Sequence, residues 1–110
     1  MKKISIAIIA TLALGGCAIT VPTSGSIQGT DETFKGVTTG YMSGSGTLDV
    51  ISNKGANCTG NFVYVNGRQG DGILKCDDGR TGTFQFSSAG THGIGVGEIA
   101  GKKFTFTFGN

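Results

Sequence analysis

Few side chains in this sequence could do chemistry, and their neighbours decide what kind. His92 is the single histidine, so a Ser-His-Asp relay would have to run through it. It lies in Thr91-His92-Gly93, which reads as a turn; no Gly-x-Ser-x-Gly elbow precedes a helix, and no helix is predicted. Asp77-Asp78-Gly79-Arg80 is the densest charged cluster. Calcium would need six or more oxygen ligands and an Asp-x-Asp-x-Asp-Gly spacing that is absent. As a glycosidase pair, the two adjacent carboxylates would alternate across a strand instead of flanking a sugar. Asp78-Gly79 reads instead as a hairpin turn, with Arg80 pairing to Asp77 on the surface. Gly93-Ile94-Gly95-Val96-Gly97 has the glycine density of a phosphate cradle, but such cradles aim backbone amides from a helix N-terminus; curved strand is the reading that remains. No catalytic set, metal site or cofactor site assembles, and the sequence reads as a non-enzyme.

The three cysteines carry more. Cys17 closes a leader made of Lys2 and Lys3, an apolar stretch from Ile4 to Leu14, and the small residues Gly15 and Gly16. That stretch is well short of the roughly twenty apolar residues a spanning helix needs. Leu14-Gly15-Gly16-Cys17 resembles the lipobox of bacterial lipoproteins. The resemblance implies cleavage between Gly16 and Cys17, a diacylglycerol on the Cys17 thiol and an acyl group on its new amino terminus. Several acyl chains make a stable membrane anchor where one would be marginal. Ala18, in place of the Asp that holds such proteins at the inner membrane, implies the periplasmic face of an outer membrane.

Cleavage changes the composition. It leaves 94 residues, one small domain, and removes Lys2 and Lys3, so that seven basic residues balance seven acidic ones. A neutral chain without a basic run offers nothing to nucleic acid. Cys58 and Cys76 remain, in a compartment where disulfides persist, and a pair between them is the simplest reading.

Residues 17–33 are rich in Thr, Ser and Gly, contain the only proline, Pro22, and show no sustained apolar period; they read as a flexible tether. From Phe34 to Asn110 apolar residues recur at every second position. Phe62 and Tyr64, Phe84 and Phe86, and Phe104, Phe106 and Phe108 each share a strand face, which predicts an all-β, antiparallel domain packed on one side. The 21 glycines of the full chain are not randomly spread. Three units open at Phe34-Lys35-Gly36, Cys58-Thr59-Gly60 and Arg80-Thr81-Gly82, spaced 24 and 22 residues apart. Each carries a later Gly-x-Gly and closes on Gly55, Gly79 or Gly101, 19 residues after its first glycine. Lys102-Lys103-Phe104 begins an incomplete fourth unit, whose Phe-x-Phe-x-Phe run reads as core with the lysines protecting an edge.

This pattern is similar to MORN repeats, which implies glycine-rich β-hairpins laid side by side into a curved sheet; a small β-sandwich or barrel is the alternative. If the middle unit turns around Asn66-Gly67, residues whose numbers sum to 134 face each other. Cys58 and Cys76 are such a pair, and a disulfide there would fix the register of strands too glycine-rich to fix it themselves.

The function expected from these readings is that of a non-enzymatic structural or interaction module, held at the membrane by its lipid and presenting a β surface to an envelope protein or glycan. The alternative is a β domain that binds a small or extracellular ligand.

Overall fold

Alternation of inward apolar and outward polar residues builds nearly every strand of this chain. The computed structural model describes residues 18–109; the leader at residues 1–16, cleavage between Gly16 and Cys17 and acylation of Cys17 lie outside the described residues. Eight strands follow one another: β1 (Ala18–Ile27), β2 (Thr33–Tyr41), β3 (Ser45–Ser52), β4 (Asn57–Tyr64), β5 (Gln69–Cys76), β6 (Thr81–Ala89), β7 (His92–Ile99) and β8 (Lys102–Phe108). Each pairs antiparallel with the next, and β1 also pairs with β8, which closes an up-and-down barrel. The all-β antiparallel expectation holds. The open curved sheet does not, and the barrel alternative is what forms.

The physical reason lies in β1, which had read as tether. Its inward positions are Val21, Thr23, Gly25 and Ile27, so only two of the four are large and apolar. Thr23 is nevertheless buried, because its hydroxyl shares a 2.6 Å hydrogen bond with that of Thr38. Gly25 lies beneath Phe104 and Phe106. Pro22 is tolerated because the β8 ladder runs only from Thr23 to Ile27, so the missing N–H falls beyond the last paired residues. Ten residues with no apolar period thus supply the strand that joins β2 to β8. The same closure removes the edge expected at β8, which is paired on both sides.

The glycine spacing has a structural counterpart. The three units are the hairpins β2–β3, β4–β5 and β6–β7, and Gly55, Gly79 and Gly101 each adopt positive φ in the turn that leaves one unit. The inward glycines of the Gly-x-Gly segments lie opposite phenylalanines: Gly46 faces Phe62, Gly72 faces Phe84 and Gly95 faces Phe106. A Cβ at any of the three would overlap the facing ring. Rings laid over bare backbone let a narrow barrel hold seven phenylalanines, an arrangement that also stabilises glycine in strands. They form a continuous series of edge-to-face, stacked and tilted contacts from Phe34 and Phe104, 5.4 Å apart, to Phe86 and Phe108, 5.9 Å apart.

The middle hairpin keeps the expected register: Cys58 faces Cys76 and Tyr64 faces Gly70, and Cys58 and Cys76 form a disulfide. Its loop is Val65–Arg68, wider than a two-residue turn. Asn66 Oδ1 accepts from the amides of Arg68 and Gln69, both at 2.8 Å, so the asparagine side chain holds the bend. Outward positions carry Lys35, Asp49, Asp71, Lys75, Glu98 and Lys103. Val37, Ile51, Val63, Ile73, Ile94 and Val96 are exposed among them, so the outer wall is a mixture of polar and apolar side chains.

Candidate functional site

An up-and-down barrel has two ends, and these differ in chemistry. Loops 28–32, 53–56, 77–80 and 100–101 gather at one end, loops 42–44, 65–68 and 90–91 at the other.

The four-loop end is sealed. Arg80 donates from its two terminal nitrogens to the two carboxylate oxygens of Glu32, at 2.9 and 2.8 Å, and from Nε to Asp78. Ser52 donates its hydroxyl to Glu32 as well. The fork geometry suits a planar guanidinium facing a carboxylate. Arg80's hydrogen bonds, with help from Ser52 and against the pull of burial, hold the Glu32 carboxyl down to about 2. Beneath this lid lie Ile27, Phe34, Leu74, Ile99, Phe104 and the Cys58–Cys76 disulfide, all buried. The surface pairing of Arg80 with Asp77 is not what forms. Asp77 instead accepts from the backbone and side-chain amides of Asn57, leaving Arg80 to turn inward to Glu32.

The three-loop end is open. Here the core stops short of the rim and leaves an apolar cavity of about 250 Å3. Leu48, Phe62, Phe84 and Phe106 line its depth; Val21, Thr38, Tyr64, Phe86 and Phe108 line its walls; Ile19, Tyr41, Met42 and Thr91 line its lip. The gap follows from the sequence, because the inward position nearest the rim on β2 is Gly40, with open space above it, where the lower row of the same strand carries Phe34. No charged side chain lines the cavity. Two of its four hydroxyls are already engaged, Thr38 with Thr23 and Tyr64 with Ser88 at 3.4 Å, and the other two, of Tyr41 and Thr91, belong to the lip. Such a site selects by shape and apolar contact, with few polar groups to orient a ligand. Two more voluminous concavities, of about 760 and 830 Å3, are open troughs on the outer wall, where polar residues such as Asn61, Asp71, Gln85 and Thr105 are interspersed with exposed Val63, Ile73, Ile94 and Val96. They enclose nothing.

The residues considered for catalysis are separated. His92 is exposed at the start of β7, beside the open end, while Asp77 and Asp78 sit in a sealed-end turn a strand length away. Among the described residues no three His, Cys, Asp or Glu side chains converge as a metal site would require. Gly93 to Gly97 is strand β7. Neither Glu32 nor the cavity was singled out from the sequence. Glu32 lay in the expected tether, and a cavity is a shortage of side chains that no motif announces; the one signal was Gly40 at an inward position beside the rim.

No protein family matches the sequence, and no characterised protein resembles it closely enough to count as a relative. The fold is similar to that of a redesigned β barrel, mFAP1, whose structure was solved bound to DFHBI. The TM-score is 0.68 and the match covers 83% of this chain and 92% of that one. At 13% identity the likeness is one of fold.

Proposed function

We propose that this chain is a ligand-binding barrel, held on a membrane by an acylated Cys17, that takes one small, uncharged, apolar molecule into its open end. The observation that carries the proposal is the uncharged cavity of about 250 Å3 with one end open and the other sealed. A chain that needed only a stable scaffold would gain by filling that space, since an apolar void forfeits packing at roughly 24 cal/mol per Å3. The volume is just under the usual range for drug-sized ligands, which suits a bicyclic or tricyclic aromatic molecule or part of an acyl chain. The barrel similar to this one, mFAP1, was solved with a small molecule bound, which supports the reading at the level of architecture. The anchor rests on the lipobox-like Leu14-Gly15-Gly16-Cys17. The cavity favours this reading over a purely structural module, whose outer β surface offers no enclosed site.

Gly40 provides the test. It lines the cavity, and a Cβ there meets no atom within 4 Å, with no positive φ to strain a side chain. Gly40→Phe should therefore place a ring in the cavity without disturbing the fold. The parent protein is expected to bind a neutral fluorescent aromatic such as 1-aminoanthracene with micromolar affinity or better, and Gly40→Phe to lose at least about tenfold, equal to about 1.4 kcal/mol. Titration by fluorescence checks it. Equal binding by both proteins would show that the probe sits elsewhere. Intact mass of membrane-extracted protein, expected to equal residues 17–110 plus acyl groups less two hydrogens, checks the anchor and the disulfide together.

A further inference from the structure

Three features of the open end converge on what it faces. The first is where the chain enters. Ala18 is the first residue of β1 and pairs with Tyr41 at the rim, and it directly follows Cys17 in the sequence. An anchor on Cys17 would leave no intervening residue between the lipidated position and the rim strand, and so would bring the open end to the membrane surface. The second is charge. The sealed-end loops carry Asp31, Glu32, Lys54, Asp77, Asp78 and Arg80, whereas the three open-end loops carry only Arg68. The third is apolar exposure at the lip. Met42 is 81% exposed, the most of any large apolar side chain among the described residues, Val65 60% and Ile19 54%, with Tyr41 beside them at 46%. The outer wall also exposes Ile94, Ile51, Val63 and Ile73, but those do not surround an opening. Apolar side chains displayed together around a cavity mouth mark a surface meant to be covered, and tyrosine with its polar tip suits the headgroup level of a bilayer.

From these we infer that the open rim is a membrane-docking surface: the barrel sits mouth-down on the phospholipid bilayer that holds its anchor, with Ile19, Tyr41, Met42 and Val65 in the interfacial layer. The cavity then opens toward hydrocarbon, and its ligand is an apolar molecule dissolved in the membrane, entering without crossing water. The six-charge sealed end points into the aqueous compartment. This docking rests on the acylation and pocket readings above and gives that site its source of ligand.

The chain contains no tryptophan, so one introduced residue is a clean reporter. In the acylated full chain, Met42→Trp places it on the rim and Lys54→Trp in a sealed-end turn; Val65→Trp replaces the first if that variant fails to fold. In phosphatidylcholine vesicles whose acyl chains carry bromine, the rim tryptophan is expected to shift to the blue and lose most of its emission, and the sealed-end tryptophan to keep its own. Equal, negligible quenching at both positions, in protein whose mass shows the acyl groups, overturns the docking. A mass without acyl groups removes the anchor it rests on and overturns it too. Binding of 1-aminoanthracene by the same proteins separates the readings. Probe bound beside an unquenched rim ends the docking alone, and a quenched rim without probe binding ends the pocket alone.

Discussion

Glu32 shows how a single side chain closes one end of this molecule. Its carboxylate is shielded from water and accepts from Arg80 and Ser52, so removing it would strand a partly buried guanidinium with Asp78 as its remaining partner. Charge-assisted hydrogen bonds of this kind contribute about 1.5–3 kcal/mol. The carboxyl is held down from 4.5 to about 2 by Arg80, which fixes the sign of the pH dependence. A depressed acid stabilises the fold fully above its unfolded value and loses that contribution as pH falls from about 4.5 through about 2. Glu32→Gln should therefore be less stable than the parent by about 1–3 kcal/mol at pH 7, with the gap narrowing as pH is lowered across that window. Urea unfolding at a series of pH values measures the gap; one that stays constant from pH 6 to pH 2 would show that the ion pair does not carry this stability.

At the scale of elements, the hairpin β4–β5 and the strand β1 mark what the sequence revealed and what it hid. The hairpin was readable because three local signals agree: alternating Phe62 and Tyr64, the Asn66-Gly67 bend, and two cysteines placed to face each other. The turn glycines were readable for a similar reason, since a positive φ demands a residue type. β1 was not readable. Its place in the sheet depends on rings from β8 covering Gly25 and on a threonine pair across to β2, contacts that exist only once the barrel has closed. The cavity shares that dependence, because it is defined by all eight strands at once. The disulfide, though sited by its hairpin, stabilises by restricting the unfolded chain, and a loop of this size gives about 3 kcal/mol. Replacing Cys58 and Cys76 together by Ser should lower stability by about that amount. Both residues lie at the sealed end, away from the cavity lining. The double variant, kept well below its melting temperature, should therefore bind 1-aminoanthracene as the parent does. Calorimetry and titration of one preparation check both halves, and lost binding in a still-folded variant would mean the sealed end shapes the cavity.

Over the whole molecule, the two ends divide the tasks of holding the fold and admitting a ligand. The sealed end has the disulfide, the Glu32–Arg80 pair and the least exposed core: Phe34, Cys58, Ile99 and Phe104, each at 1%. The open end has a void where a further layer of side chains would sit, and its last rings, Phe86 and Phe108, are less completely covered. Backbone hydrogen bonds open with free energies that follow such local packing, so protection should be graded along the barrel axis. Amide hydrogen exchange is expected to be slowest at the sealed ends of β4, β5 and β7, around Cys58, Leu74 and Ile99. It should be at least about tenfold faster for residues 41–46 and 63–70, an opening difference of about 1.4 kcal/mol or more. A ligand seated in the cavity binds only the closed mouth and must stabilise it by mass action. Saturating 1-aminoanthracene should thus slow exchange in those rim segments and leave the sealed-end amides nearly unchanged wherever they exchange by local opening. Uniform exchange along the axis, or slowing spread evenly over both ends on adding the probe, would mean that the barrel opens as a single unit and that its two ends are not energetically distinct.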